Sequence, residues 1–351
     1  MSTAPIERII KAAVERGASD IHIKAGDLFR ARIDGRLVPL TKQRLTPAQT
    51  RAIALKLIPS EEDRKRLDEL TDYDCSWGLP GSGRFRVSLL RQRSSVMIVM
   101  RVIPFAIPTI EELGLPEAVA GLAESSAGLL LVTGPAGSGK SSAIAALLAH
   151  LNQSVERHVV TVEDPIEFLH RDLKSSVTQR EVGIDTGSVV AGVRAAMRHD
   201  PDVIVIGEIA DAVAMETAMQ AAERGVLVIG AIHASDTVAA LTQVIGYLGS
   251  GRDNGRERVA EALQGVVALR LAPRADGEGR VPLVELLLAT PEIRAAIKRA
   301  DGVAELPKLM AAAGSPMQTF AAEAERLARE GVIDEITPPA PAPRRGRRGR
   351  R

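Results

Sequence analysis

A chain of 351 residues, 45% hydrophobic and 25% charged, is long enough for two or three domains with ordinary apolar cores. Aromatics are only 2%, which leaves Ala, Val, Leu and Ile to build those cores, and the single cysteine, Cys75, excludes an internal disulfide framework and a four-thiolate zinc site. The net charge is +1 with the six arginines of the last eight residues and −5 without them, so overall charge is no argument for a nucleic-acid partner.

No secretory leader is evident, and no apolar run approaches the roughly 18 residues of a membrane-spanning helix, so the expected compartment is the cytoplasm. Residues 5–16 carry Ile6, Ile9, Ile10, Ala13 and Val14 at helical spacing, a stripe that suits a core better than a membrane anchor, and Gly17 stops the helix. Ser19 to Lys24 alternates like a half-buried strand. Arg30 to Ile33, Asp34-Gly35 and Arg36 to Leu40 read as a hairpin with a tight turn. A helical stretch is expected over 46–70, with a charged segment from Glu61 to Asp68. Three strands follow at Tyr73 to Trp77, Arg84 to Gln92 and Val96 to Ile103, with Gly81-Ser82-Gly83 turning between the first two. Residues 1–103 thus form a small α+β domain, and Pro104 and Pro108 mark a linker over 104–120.

Beyond the linker, strands alternate with alanine-rich helices. The strands are Gly128–Thr133, His158–Val162, Val203–Gly207 and Val226–Ile232. This alternation predicts a mostly parallel sheet with helices on both faces, an α/β domain. Residues 256–334 read as largely helical apart from Val281–Leu288, no solenoid-length repeat is evident, and the Pro- and Arg-rich end, 336–351, is expected to be disordered.

Gly134-Pro135-Ala136-Gly137-Ser138-Gly139-Lys140-Ser141 fits the G-x-x-x-x-G-K-[ST] phosphate loop at every fixed position. A buried strand leads in and the helix from Ser142 to Leu151 leads out, which is the context the motif needs. Glycines there let backbone N–H groups converge on phosphate oxygens, and the helix N-terminus adds positive potential. Lys140 is expected on the β/γ-phosphates, the Ser141 hydroxyl on Mg²⁺, and the nucleotide-binding set runs to Ser142. The competing reading is a chance glycine turn before a helix.

Parallel strands deliver their ends to one edge, so three further segments bear on the loop. Val159 to Glu167 is a strand ending in carboxylates. Glu163 there is placed to orient a water or hold Mg²⁺ through one; as a structural acid it would only cap a turn. Asp200 to Glu208 resembles a Walker B strand, and Glu208 is the candidate to polarise an attacking water rather than an ordinary strand-end acid. Val226 to Ser235 ends in His233, which either senses the γ-phosphate or hydrogen-bonds Glu208, or is simply structural.

Taken together, these segments resemble the type IV pilus retraction (PilT-like) group of the secretion-type ATPases, over about residues 5–335. The resemblance rests on Ser19-Asp20-Ile21-His22-Ile23 and the Arg32–Gly35 hairpin. It continues through Thr161 to Glu167 (an Asp box), Gln179-Arg180-Glu181-Val182-Gly183, and Arg194 and Arg198 ahead of Asp200-Pro201-Asp202. Gly230-Ala231-Ile232-His233 (a His box), Glu292 to Lys298 and Met317-Gln318-Thr319-Phe320 complete it. It implies a PAS-like N-terminal domain followed by a RecA-like ATPase domain, 121–335, with a helical C-terminal part from about 256. It further implies ATP and Mg²⁺ as cofactors and a homo-hexamer with the nucleotide between neighbouring subunits. The other implied partners are an inner-membrane pilus platform protein and a paralogous retraction ATPase, with the chain held peripherally at the inner membrane. Arg86 and Arg101 stand where the group carries phosphate-facing arginines, a role that suits a planar guanidinium. In the alternative, these strand arginines merely face solvent.

The chain departs from the group's pattern at Ala210, where an arginine is usual, at Val226, where a histidine is usual, and at Ser94-Ser95-Val96-Met97, where a glycine-rich turn is usual. Lost polar groups near a nucleotide slow hydrolysis if they act on the transition state. Three readings follow. One is a retraction motor, working but slow. A second is an accessory paralogue that binds nucleotide with little turnover. The third is an assembly or type II secretion motor, which Cys75 alone disfavours because those chains usually carry a four-cysteine zinc subdomain.

Overall fold

The computed structural model describes residues 4–33, 36–103, 106–249, 254–277, 279–312 and 314–334. The Asp34-Gly35 turn, Pro104 and the Arg-rich end lie outside the described residues.

The first stripe is helix α1 (Ala4–Glu15), burying Ile10 and Ala13. It is followed by β1 (Asp20–Lys24), β2 (Arg30–Ile33), β3 (Arg36–Pro39), α2 (Pro47–Leu57), α3 (Glu61–Lys65), β4 (Asp72–Leu79), β5 (Gly83–Gln92) and β6 (Ser95–Ile103). The helix expected over 46–70 is in fact two. A capping box between Thr46 and Gln49 starts α2, the chain becomes extended at Ile58 ahead of Pro59, and the Ser60 hydroxyl caps α3. The six strands form an antiparallel sheet in the order β3-β2-β1-β6-β5-β4. Ile21, Ile23, Phe85, Val87, Ile98 and Met100 pack with Ile53 and Leu57 on one face. The two-residue period then sends Asp20, Arg84, Arg86 and Arg101 to the opposite face.

The second half runs α4 (Ala118–Ala123), β7 (Gly128–Thr133), α5 (Lys140–Ser154), β8 (His158–Glu163), β9 (Ser176–Glu181), α6 (Val189–Ala196) and β10 (Val203–Ile206). It continues with α7 (Ala212–Glu223), β11 (Leu227–Ile232), α8 (Thr237–Gly249), α9 (Gly255–Ala262), β12 (Leu263–Pro273), β13 (Arg280–Leu288), α10 (Pro291–Lys298), α11 (Leu306–Met310) and α12 (Phe320–Arg329). The seven strands are ordered β13-β12-β7-β11-β10-β8-β9, all parallel except β13. Both faces are covered, as continuous apolar strands require. Leu129 and Leu131 join one core with Met215, Leu241 and Ile293, while Leu130 and Val132 join the other with Leu147 and Leu151 of α5. Ile110, Leu115 and Val119, in the segment read as a linker, are buried in that second core. The molecule is thus an α/β fold with one antiparallel and one mixed sheet.

Two strands correct the sequence reading. β12 stands where helix was expected, because Leu263–Pro273 is buried on both faces and rich in Leu, Val and Ala, so it shows neither alternation nor a β-specific composition. β9 is short and polar, and it forms because β8 offers it a ladder rather than because of its own propensity.

Candidate functional site

The phosphate loop joins β7 to α5 at the C-terminal edge of the parallel strands. Gly134, Gly137 and Gly139 all have positive φ, and Gly139 at +97° begins the turn into α5. A Cβ on Gly134 would lie 2.4 Å from both the Leu269 carbonyl and Ser138 Oγ, so only glycine fits there. Ser138 Oγ itself is buried without a hydrogen-bond partner, a donor left over inside the loop. Lys140 folds back, with Nζ donating to the carbonyls of Gly134 (2.8 Å) and Pro135 (3.1 Å). Burial lowers its pKa, and Glu208 and Glu167 oppose that shift.

Two neighbouring strand ends meet Lys140. Thr133 Oγ1 accepts from Ala234 N (3.0 Å) and donates to Ala234 O (3.1 Å), clamping the end of β11 to the end of β7. His233 is thereby placed with Nδ1 3.3 Å from Lys140 Nζ and Nε2 3.4 Å from Glu208 Oε1. With Lys140 charged, Nδ1 accepts and Nε2–H faces the carboxylate. Gly207 lets β10 pass close to β8, since a Cβ there would sit 3.2 Å from Glu163 Cα. Glu163 is held by Thr161 Oγ1 (2.6 Å) and Gln179 Nε2 (3.0 Å), both donating to Oε1. Burial raises the Glu163 pKa above the usual carboxylate range, against those two hydrogen bonds.

A cavity of about 570 Å³ connects these groups, within the range of ligand sites. Ala136, Gly137, Lys140, Ser141, Glu163, Glu208, His233 and Arg86 all line it. Arg86 reaches it from the antiparallel sheet of the same chain. Arg101 does not line it. Arg101 lies opposite both Arg86 and Asp20 in the ladder, and its Nε donates to Asp20 Oδ1 at 3.0 Å, leaving the side chain 70% exposed. Two like charges opposite each other repel, and the Asp20 carboxylate draws one of them aside. Ala210 stands in the cavity wall, whereas Val226 packs against the core at the far end of β11. Pro135 and Ser142 belong to the loop and the first turn of α5 without lining the cavity.

This geometry separates the two arginines experimentally. Arg86→Ala is expected to lower kcat about 100-fold with nucleotide binding retained, the usual cost of one lost charge-stabilising donor. Arg101→Ala should release Asp20 and leave the cavity intact within one chain. Phosphate release beside nucleotide titration, with sizing to detect changes in assembly, distinguishes the two variants.

His170, also in the cavity wall, was missed by the sequence reading. Burial lowers its pKa to about 4. The unfolded chain then binds the extra proton between that value and about 6.5, so the contribution is complete above pH 6.5 and lost as pH falls toward 4. His170→Gln should remove about 3 kcal/mol of the fall in unfolding free energy between pH 7 and 4, measured by urea titration. Thr161 and Gln179 also escaped the sequence reading as site residues. Thr161 stands two residues from Glu163, the one available signal that they share a strand face.

Among the described residues, no group of three His, Cys, Asp or Glu side chains is arranged to hold a metal, and no helix is long and apolar enough to cross a membrane. The glycine cradle, the leftover Ser138 hydroxyl and the α5 N-terminus instead fit an anion with several oxygens.

The profile of the family described as type II/IV secretion system protein matches residues 2–337. The Pseudomonas aeruginosa protein named type IV pilus ATPase PilU is 37% identical, over 93% of this chain and 86% of its own. The type IV pilus retractation ATPase PilT of the same organism is 36% identical, over 93% and 95%. Among solved structures, that of the pilus retraction motor PilT with bound ADP has a TM-score of 0.87 at 41% identity, covering 93% of this chain and 94% of that one. The Legionella pneumophila ATPase DotB has 0.83 at 25% identity, covering 95% and 94%. With a match over residues 2–337, from ahead of α1 to beyond α12, the chain belongs to the type II/IV secretion system protein family.

Proposed function

We propose that the chain is a motor ATPase of pilus retraction, hydrolysing ATP in the cavity between its two sheets. The observation that carries the reading is the convergence of Lys140, His233, Glu208, Glu163 and Arg86 on one cavity. Those groups would grip a triphosphate, polarise a water and stabilise the charge of the transferring phosphoryl group. The loop backbone from Gly134 to Ser142 would hold the phosphates. The Ser141 hydroxyl, with Glu163 through a water, would hold Mg²⁺, which supplies charge neutralisation on the phosphate oxygens when bound.

In this reading residues 1–103 are a PAS-like domain, 104–120 connect it, and 121–335 are a RecA-like ATPase domain with a C-terminal helical part from about 256. Subunits assemble as a homo-hexamer at the cytoplasmic side of the inner membrane. There, rotation between the domains on nucleotide exchange moves a pilus platform protein. ATP turnover measured against protein concentration, with sizing in parallel, tests this. Activity should rise as rings form, and full turnover by a monomer would refute the shared-motor reading.

Ala210 in the cavity wall favours a second reading, an accessory subunit that binds nucleotide and joins an active paralogue. Steady-state phosphate release from the purified chain separates the two.

A further inference from the structure

Of the Gln179-Arg180-Glu181 segment, only Gln179 has a role in the site as described so far. The segment forms the end of the edge strand β9, where Thr161 pairs with Gln179 and Glu163 with Glu181 in register. Parallel neighbours in register point to the same face, so the Glu163 and Glu181 side chains leave adjacent backbone positions on one face of the sheet. Each is satisfied by different donors. Glu163 takes Thr161 and Gln179. Glu181, whose side chain is only 4% exposed, takes the Ile166 amide at 3.3 Å and the guanidinium of Arg84 at 2.5 Å.

Arg84 belongs to the other sheet. It lies on β5, two residues before Arg86 and on the same strand face, so one strand sends one arginine into the cavity and another onto Glu181. Gln179 also donates to the Phe168 carbonyl (2.9 Å) and accepts from the His170 amide (2.9 Å). Gln179 and Glu181 therefore hold the 164–170 loop, which forms one wall of the cavity, and Glu181 ties that wall to the N-terminal sheet through Arg84.

We propose that Arg84 is a positioning residue for hydrolysis: by neutralising Glu181 it keeps that carboxylate from displacing Glu163, so that Glu163 is aimed only while the N-terminal sheet is docked. A buried carboxylate that loses its guanidinium repels like charges around it, and Glu163, its ladder neighbour, borders open space and can yield. Domain movement and site geometry are thus linked through one ion pair. The proposal rests on the ATPase reading above.

The test uses the full chain and three variants, with kcat, KM for ATP and sizing measured beside the wild type. Arg84→Gln is expected to lower kcat at least tenfold while KM stays within about threefold. Arg84→Lys, which keeps the charge, should recover at least half of wild-type turnover. The double variant Arg84→Gln with Glu181→Gln removes the uncompensated charge and should return kcat to within about threefold of wild type. A purely structural pair gives the opposite ordering, with the double variant no better than the single. Arg84→Gln at wild-type turnover, or a double variant that stays slow, overturns the inference. If Arg84→Gln fails to fold, the double variant alone decides. An inactive wild type refutes the ATPase reading itself, and this inference with it.

Discussion

Lys140→Ala is expected to weaken nucleotide affinity at least 100-fold and to reduce phosphate release below detection, with the fold intact. In the structure Nζ bonds two loop carbonyls and approaches His233 Nδ1, so the ammonium waits beside the position a phosphate would take. Exchange of those two carbonyl bonds for phosphate oxygens gains charge-assisted hydrogen bonds worth about 1.5–3 kcal/mol each, and about 1.4 kcal/mol is tenfold in affinity. Burial, which disfavours the charged form of Lys140, adds to the advantage of an anion. The Pro135 carbonyl is exposed and the hydrogen bond to the Gly134 carbonyl is only part-buried, so water replaces the lost donor. Thermal unfolding should therefore be nearly unchanged. Titration with a fluorescent ADP analogue checks the first claim and calorimetry the second. Retained tight binding by a folded Lys140→Ala protein would show that the loop backbone alone holds the nucleotide.

The parts of this site that follow local rules were legible in the sequence. The phosphate loop is contiguous, and its glycines, lysine and flanking strand and helix all lie within one short stretch. Glu163, Glu208 and His233 were legible because each ends an apolar strand, and parallel strands bring their ends to one edge. What could not be read depends on contacts between distant segments. β9 has a polar composition and owes its existence to β8. β12 has a helix-like composition and owes its extended form to burial between β7 and β13. Which of Arg86 and Arg101 borders the cavity within the chain was also invisible. Both are alternate residues on amphipathic strands, and only the Asp20 carboxylate opposite Arg101 distinguishes them. Ladder register decides that, and register is not written in either strand alone.

Glu208→Gln should bind ATP as the wild type does and yet hydrolyse it about 100- to 10,000-fold more slowly, the range for loss of a positioned general base. The structure provides two candidate acids, and their surroundings assign different roles. Glu163 has one oxygen engaged by Thr161 and Gln179 and is deeply set, with its proton affinity raised by burial. A carboxylate so restrained suits a fixed orienting group. Glu208 is 52% exposed at its side chain, pairs with His233 Nε2 at the long distance of 3.4 Å and acts on Lys140 through charge. It retains free lone pairs toward the cavity and a neighbour that can share a proton. Glutamine keeps the size and a hydrogen-bond acceptor at position 208 but cannot take up the water's proton, so the substitution isolates that step. Glu163→Gln, in contrast, keeps an acceptor for Thr161 and Gln179 but removes the charge that would hold Mg²⁺ through a water, and it should disturb nucleotide binding together with turnover. Single-turnover hydrolysis with nucleotide in place resolves the two, because it reports chemistry without product release. If Glu208→Gln reaches the wild-type single-turnover rate while Glu163→Gln does not, the base is Glu163 and the assignment reverses.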